Sequence, residues 1–149
     1  LAELLISSLL LVVTALFFAA LGLFFSSFVK RTLTATVSSY IAIVISFLGL
    51  GMVFFLAVAL DLPYATANPL AETALTLLLW AMISTNPLLA AFFSEIILVE
   101  DQSIFFTQSM FGSNGLILPS PWIPFTALYL AAALIMIIFS IHFVSRPDR

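Results

Sequence analysis

Ile83-Ser84-Thr85-Asn86-Pro87-Leu88-Leu89 interrupts a run that would otherwise read as one apolar helix from Thr73 to Val99. Asparagine before proline is a helix-start signal. The Asn side chain accepts hydrogen bonds from the free amides of the first turn, and proline at the first helical position lacks an N–H that would have no partner there. Thr85, just ahead, is where the preceding helix stops. The stretch therefore reads as two short helices, 72–85 and 87–100, each roughly 20 Å long against a hydrocarbon layer of about 30 Å. Neither is long enough to cross a membrane alone. Asn68-Pro69 caps the approach to the first of them in the same manner, and Glu72 falls in a first turn where the helix dipole favours its charge.

The flanking segments decide which way this pair faces. Leu4–Val29 and Leu33–Leu60 carry no charge, and Lys30-Arg31 sits between them. Each run extends roughly 38 Å or more as a helix, enough to span. The excess of cations on cytoplasmic loops puts Lys30 and Arg31 inside, so the first helix descends and the second returns to the outer face at Asp61. Trp122–Val144 is a third uncharged run, with prolines and an interfacial tryptophan at its start and Ser145, Arg146 and Arg149 after it. Those arginines place its end inside and its start outside. Whatever lies between Asp61 and Pro121 must then begin and end on the outer face, which a single crossing through 73–99 violates and a re-entrant hairpin satisfies. Backbone broken at membrane depth must pack against protein or line a wet cavity. The remaining outer loop, 101–121, holds Asp101, an Asn114-Gly115 turn and Pro119-Ser120-Pro121, with no lysine or arginine. The fold class predicted is all-α integral membrane: three full transmembrane helices, 4–29, 33–60 and 122–144, plus a re-entrant outer helical hairpin before the last.

Composition supports the membrane class and removes others. With 64% hydrophobic and 7% charged residues in 149, a water-soluble core enclosing such helices on every side is not attainable. The absence of cysteine excludes disulfides, iron–sulfur clusters and thiolate metal sites, and His142 as the sole histidine excludes a bis-histidine haem within one chain. Four basic residues leave no footprint for nucleic acid. The start at Leu1, with Glu3 beside a run too long for a signal peptide and lacking its cationic leader, reads as the C-terminal part of a longer protein.

Small residues mark packing seams. Ser8, Ala15, Ala19, Gly22 and Ser26 share one narrow face of the first helix, and Ala35, Ser39, Ala42, Ser46 and Gly49 share one face of the second. In lipid, close backbone approach at such seams does much of the work of association, within one subunit or between two. Glu95, in the second arm of the hairpin, is an ionisable group near membrane depth and thus a candidate pathway residue, although it stands close enough to Glu100 to reach outer water. His142, near the inner surface with no second ligand nearby in sequence, is not read as a metal site. An intramembrane enzyme needs a nucleophile with a base, paired carboxylates or a metal. The full spans offer none of these.

The order of these features resembles the permease subunits of ATP-binding cassette exporters of the type 2 (ABC-2) family. The resemblance rests on Gly22-Leu23-Phe24-Phe25-Ser26-Ser27-Phe28-Val29-Lys30-Arg31-Thr32, on Thr34-Ala35-Thr36-Val37-Ser38-Ser39-Tyr40, on Asn86-Pro87-Leu88-Leu89-Ala90-Ala91-Phe92-Phe93-Ser94-Glu95, and on the basic end of the last helix. It covers nearly the whole chain, which then looks like the fourth to sixth helices of a six-helix permease. The resemblance implies a transporter half that moves a substrate outward by alternating access. Its expected partners are a separate cytoplasmic P-loop ATPase subunit, a second permease copy and the bilayer. It further implies an inner (plasma) membrane location with a cytoplasmic C-terminus. ATP-Mg is expected on the ATPase, since no Gly-x-x-x-x-Gly-Lys-Ser/Thr loop occurs here and the chain itself is expected to hold no cofactor. Lys30 and Arg31 become candidates for contact with the ATPase or an anionic lipid head group, beside their plain role as topology anchors. A passive channel or structural membrane subunit is the alternative reading. The substrate stays open, because one fold serves many cargoes.

Overall fold

The computed structural model describes residues 2–29, 31–62, 68–100, 103–108, 111 and 115–145; Leu1, Lys30, Asp101, Asn114, Arg146 and Arg149 lie outside that set. Three helices are long and apolar enough to cross a membrane, namely α1 (Ala2–Phe28), the continuous rod Thr32–Ala59, and α6 (Trp122–Val144). The rod is built of α2 (Thr32–Val44) and α3 (Leu50–Ala59) joined by one π-helical turn, Ile45–Gly49. Its far end closes on a left-handed residue. Asp61 has φ 49°, its N–H donates to Val58 O, and Leu62 N–H reaches back to Ala57 O, the paired bonds that satisfy the last carbonyls of a helix.

Between the second and third of these helices lie α4 (Pro69–Thr85) and α5 (Pro87–Glu100), which meet at a bend of 107°. Both begin on the prolines that the sequence marks. Helix α4 starts at Pro69, three residues before the expected start at Glu72, because Asn68 Oδ1 accepts from Leu70 N at 3.0 Å and proline occupies N1. The bend exceeds a right angle, so α5 leaves the apex steeply inclined to α4.

The segment 101–121 corrects the expectation of a purely helical chain. It contains a two-stranded antiparallel ribbon, β1 (Phe106–Gln108) and β2 (Ile117–Pro119), with Thr107 opposite Leu118 and both turned inward. Gly115, at φ 53°, supplies the left-handed backbone on the way into β2. Two tryptophans fasten the ribbon: Trp80 Nε1 donates to Pro119 O at 3.0 Å and Trp122 Nε1 to Ile104 O at 2.8 Å.

Packing is concentrated around the helical pair. On one side Leu79, Trp80, Ile83, Leu89 and Ile97 pack with Phe54 of α3 and Leu118 of the ribbon. On the other, Ala90 and Leu98 pack with Ile6, Leu10 and Val13 of α1 and with Phe125 and Tyr129 of α6. The pair is thus a wedge between α3 and the α1–α6 layer. Helices α1 and α6 run parallel, from Phe17 on Tyr129 at one level to Phe28 on Phe143 at another. The outward faces remain apolar along their whole length, with Leu4, Met52 and Val144 all more than 70% exposed.

Candidate functional site

The apex between α4 and α5 is a buried polar junction. Asn86 is fully buried, with extended backbone (φ −103°, ψ 122°) that ends one helix and starts the next. Its Oδ1 accepts from Leu88 N at 2.9 Å and Leu89 N at 3.2 Å, the capping bonds its sequence position implies. Its Nδ2 makes a contact that capping alone does not require. It donates to Phe47 O at 2.8 Å and Ser46 O at 3.2 Å, both in the π-helical turn of the neighbouring rod. A turn widened to i→i+5 withdraws helical amides from local carbonyls, and an outside donor can serve them. The backbone N–H and C=O of Asn86 are also bonded, to Ile83 O and Ala90 N. Every polar group of this buried residue therefore has a partner, the condition under which an amide is tolerated in an apolar interior.

Tyr129 of α6 ties a third element to the same point. Its hydroxyl donates to Thr85 O at 2.9 Å and lies 3.1 Å from Ser46 Oγ. A phenol has one proton, so the serine donates to the tyrosine. The ring stacks on Phe125 with centroids 4.1 Å apart and packs against Phe17 at 4.4 Å. Gly51 completes the fit: a Cβ there would stand 3.3 Å from Asn86 Nδ2. The junction joins the rod, the bent pair and α6 through neutral groups only. Its hydrogen bonds fix where the chain bends.

The other sequence-marked residues lie elsewhere. Glu95 is exposed and lines a crevice of about 300 Å³ with Ser7, Thr14 and Phe47. Arg31 is exposed at the N-terminus of α2, where its extended backbone precedes the first turn without a side-chain cap; Lys30 is outside the described residues. Along α1, Ala15, Ala19 and Ser26 are exposed and Gly22 half-buried, because the face that packs carries Ile6, Leu10, Val13, Ala20 and Leu21 on the opposite side. Gly22 and Ser26 face Ala35 and Ser39 across a crevice of about 400 Å³. On the rod, Ala42 is half-buried, Gly49 is exposed at the end of the π-helical turn, and Ser46 enters the junction. Among the described residues no group of three or more His, Asp or Glu is placed to hold a metal ion.

Sequence reasoning found Asn86 as a cap and missed it as a cross-brace. The π-helical turn has no proline to announce it, and Ser46 and Gly49 within it are residue types common in membrane helices. Tyr129, however, is the only phenol in the last uncharged run, and a phenol there signals a buried partner. Comparison with family models, with curated proteins and with solved structures returned no match.

Proposed function

We propose that this chain is the membrane-spanning part of a transporter subunit, an ABC-2-type exporter permease that moves its substrate outward under the drive of a separate cytoplasmic ATPase. In this reading α1, the Thr32–Ala59 rod and α6 cross the bilayer, and α4–α5 dips in from the outer face and returns. The C-terminus is cytoplasmic, and the permease works with a second copy of itself or a close relative. The observation that carries the reading is the α4–α5 bend of 107° braced at Asn86. Arms of about 25 and 21 Å reach roughly the middle of a 30 Å hydrocarbon layer, where a broken backbone needs its polar groups satisfied from neighbouring protein. Asn86 and Tyr129 supply those bonds. Two half-depth arms wedged between spanning helices also give a movable outer plug, which alternating access requires and a plain anchor does not.

The topology is directly testable, because the chain contains no cysteine. Single cysteines at Ala71, in the first turn of α4, and at Ser103, just beyond α5, are expected to label from the outer face in intact cells, and one at Ser145 only after permeabilisation. Labelling of Ala71 and Ser103 from opposite faces would make the pair a fourth span and end the hairpin reading. Export itself is tested by purifying the chain with its bound partners. A co-purifying P-loop ATPase whose turnover in vesicles rises with transported compounds supports the transporter, and its absence favours a passive channel or structural subunit.

A further inference from the structure

We propose that the crevice between α1, the π-helical turn and α5 binds a hydrophobic organic cation, its charge on Glu95 and its apolar body along the walls. The crevice holds about 300 Å³, and three elements wall it: α1 with Leu10 and Leu11, the turn with Phe47, and α5 with Leu88 and Ala91. Among the described residues that line it, Glu95 alone is charged. Leu88, Ala91 and Glu95 are spaced three and four apart, so they form one stripe along α5, with the carboxylate about 10 Å along the helix from Leu88. Thr14 adds no free donor, because its Oγ1 donates to Leu10 O at 2.7 Å on its own helix. The Phe47 ring packs on Phe18, with centroids 5.4 Å apart. A carboxylate beside an aromatic ring and aliphatic walls is a set of groups that holds organic cations.

The charge pattern calls for a cation that this chain does not supply. Its four lysines and arginines, Lys30, Arg31, Arg146 and Arg149, follow the ends of α1 and α6 in the sequence. The crevice takes its α1 lining from the other half of that helix, and its last residue there, Thr14, stands about 21 Å of helix short of Phe28. A second copy lying alongside in the same orientation brings its cations to the same far level. An ionisable group in an apolar wall at membrane depth is costly and calls for a partner of opposite charge. A hydrophobic cation supplies that charge and also covers the leucines and the phenylalanine, which an inorganic cation does not. The crevice borders the brace as well. Pro87, the first residue of α5, is part of its lining, and Phe47 O accepts from Asn86 Nδ2 at 2.8 Å, so an occupant touches both sides of the joint at which the pair bends.

The site rests on the membrane-spanning part of the proposed function, and the role of the bound cation as cargo rests on export. The test is equilibrium dialysis of the purified chain in a non-ionic detergent against radiolabelled tetraphenylphosphonium, with tetraphenylborate as a probe of the same shape and opposite charge. Wild type is expected to bind tetraphenylphosphonium saturably, and tetraphenylborate about tenfold more weakly. Glu95→Gln is expected to weaken tetraphenylphosphonium binding about fivefold, the worth of one solvent-screened ion pair. Glu100→Gln, on the same helix but outside the crevice, is expected to leave it unchanged. Ala91→Phe, which fills the crevice with the carboxylate intact, is expected to abolish saturable binding while circular dichroism matches wild type. Equal binding of the two probes by wild type, wild-type affinity in Glu95→Gln, or full binding by Ala91→Phe overturns the proposal. ATPase turnover in vesicles separates this failure from failure of export. Binding through Glu95 with no partner ATPase that responds to tetraphenylphosphonium keeps the site and removes the cargo role. An ATPase stimulated by transported compounds, beside a wild type without saturable tetraphenylphosphonium binding, keeps export and removes the site.

Discussion

The two ends of this molecule are built on different terms. At the end that holds the bent pair, helices, ribbon and wedge interlock, and the buried amide and phenol at its base have every hydrogen bond filled. At the basic end Phe24 and Phe28 still touch Phe143, but crevices of about 500 and 400 Å³ open between α1 and α6 and between α1 and α2. One glycine from each end makes the contrast measurable. A Cβ at Gly51 meets Asn86 Nδ2 at 3.3 Å, whereas a Cβ at Gly22 meets nothing within 4 Å. The close-packed end defines a shape. The loose end leaves room for lipid or for motion.

The sharpest way to break this comparison is to remove the brace. Asn86→Ala strands two carbonyls of the π-helical turn and two capped amides at once. Cap loss costs about 1 kcal/mol and each buried unpaired group about 1–3 kcal/mol, so a loss of roughly 3 kcal/mol is expected in detergent-driven unfolding followed by circular dichroism. Asn86→Asp separates the two functions. It keeps the acceptor that caps α5 and turns a carboxylate toward the carbonyls of Ser46 and Phe47, so a loss at least as large identifies the cross-brace, rather than the cap, as the main contribution. Recovery of wild-type stability in Asn86→Asp would reduce the junction to an ordinary helix start.

Next in size are the paired glycines. Gly51→Ala must push against an amide held by two hydrogen bonds, and a loss of about 1–2 kcal/mol is expected. Gly22→Ala enters open space in a helix and is expected to gain about 0.5–1 kcal/mol. Opposite signs for one substitution at the two ends would sharpen the contrast, and equal signs would dissolve it. Tyr129→Phe belongs with these. It leaves Thr85 O and the Ser46 hydroxyl without their partner while the ring keeps its stack on Phe125, and a loss of about 1 kcal/mol is expected. If export is the function, Tyr129→Phe should also change the transport rate more than Gly22→Ala does, since it loosens the plug.

The difference between the ends also explains what could be read in advance. Long uncharged runs and the Asn-Pro step are local signals, written in consecutive residues, and the helices formed close to where those signals placed them: Trp122–Val144 coincides with its uncharged run, and Thr85 and Pro87 bound the break. The strand ribbon was not legible because its strands are three residues each, below the length at which alternation separates from chance. The π-helical turn was hidden for a different reason. Ser46 and Gly49 weaken an ordinary helix only slightly, and the turn is matched to an amide forty residues further along the chain. Long-range pairing of that kind leaves no period in a sequence. The seams of small residues show the converse limit: Ala15 and Ala19 share a face as expected, but which face packs on α6 was decided by the larger Ile6, Leu10 and Val13.

The smallest expected effect tests whether the close-packed end is strained anywhere. Asp61 holds the left-handed position that closes α3, where its side chain carries a steric cost that glycine lacks. Asp61→Gly is expected to raise stability by about 0.5–1 kcal/mol. Asp61→Asn keeps a side chain that tolerates the conformation and removes only the charge, so it should leave stability near wild type. A gain in Asp61→Gly alone assigns the effect to the backbone. An equal gain in Asp61→Asn assigns it to relief of repulsion among the acidic residues of that end, and the interlocked half would then carry an electrostatic cost that its apolar packing offsets.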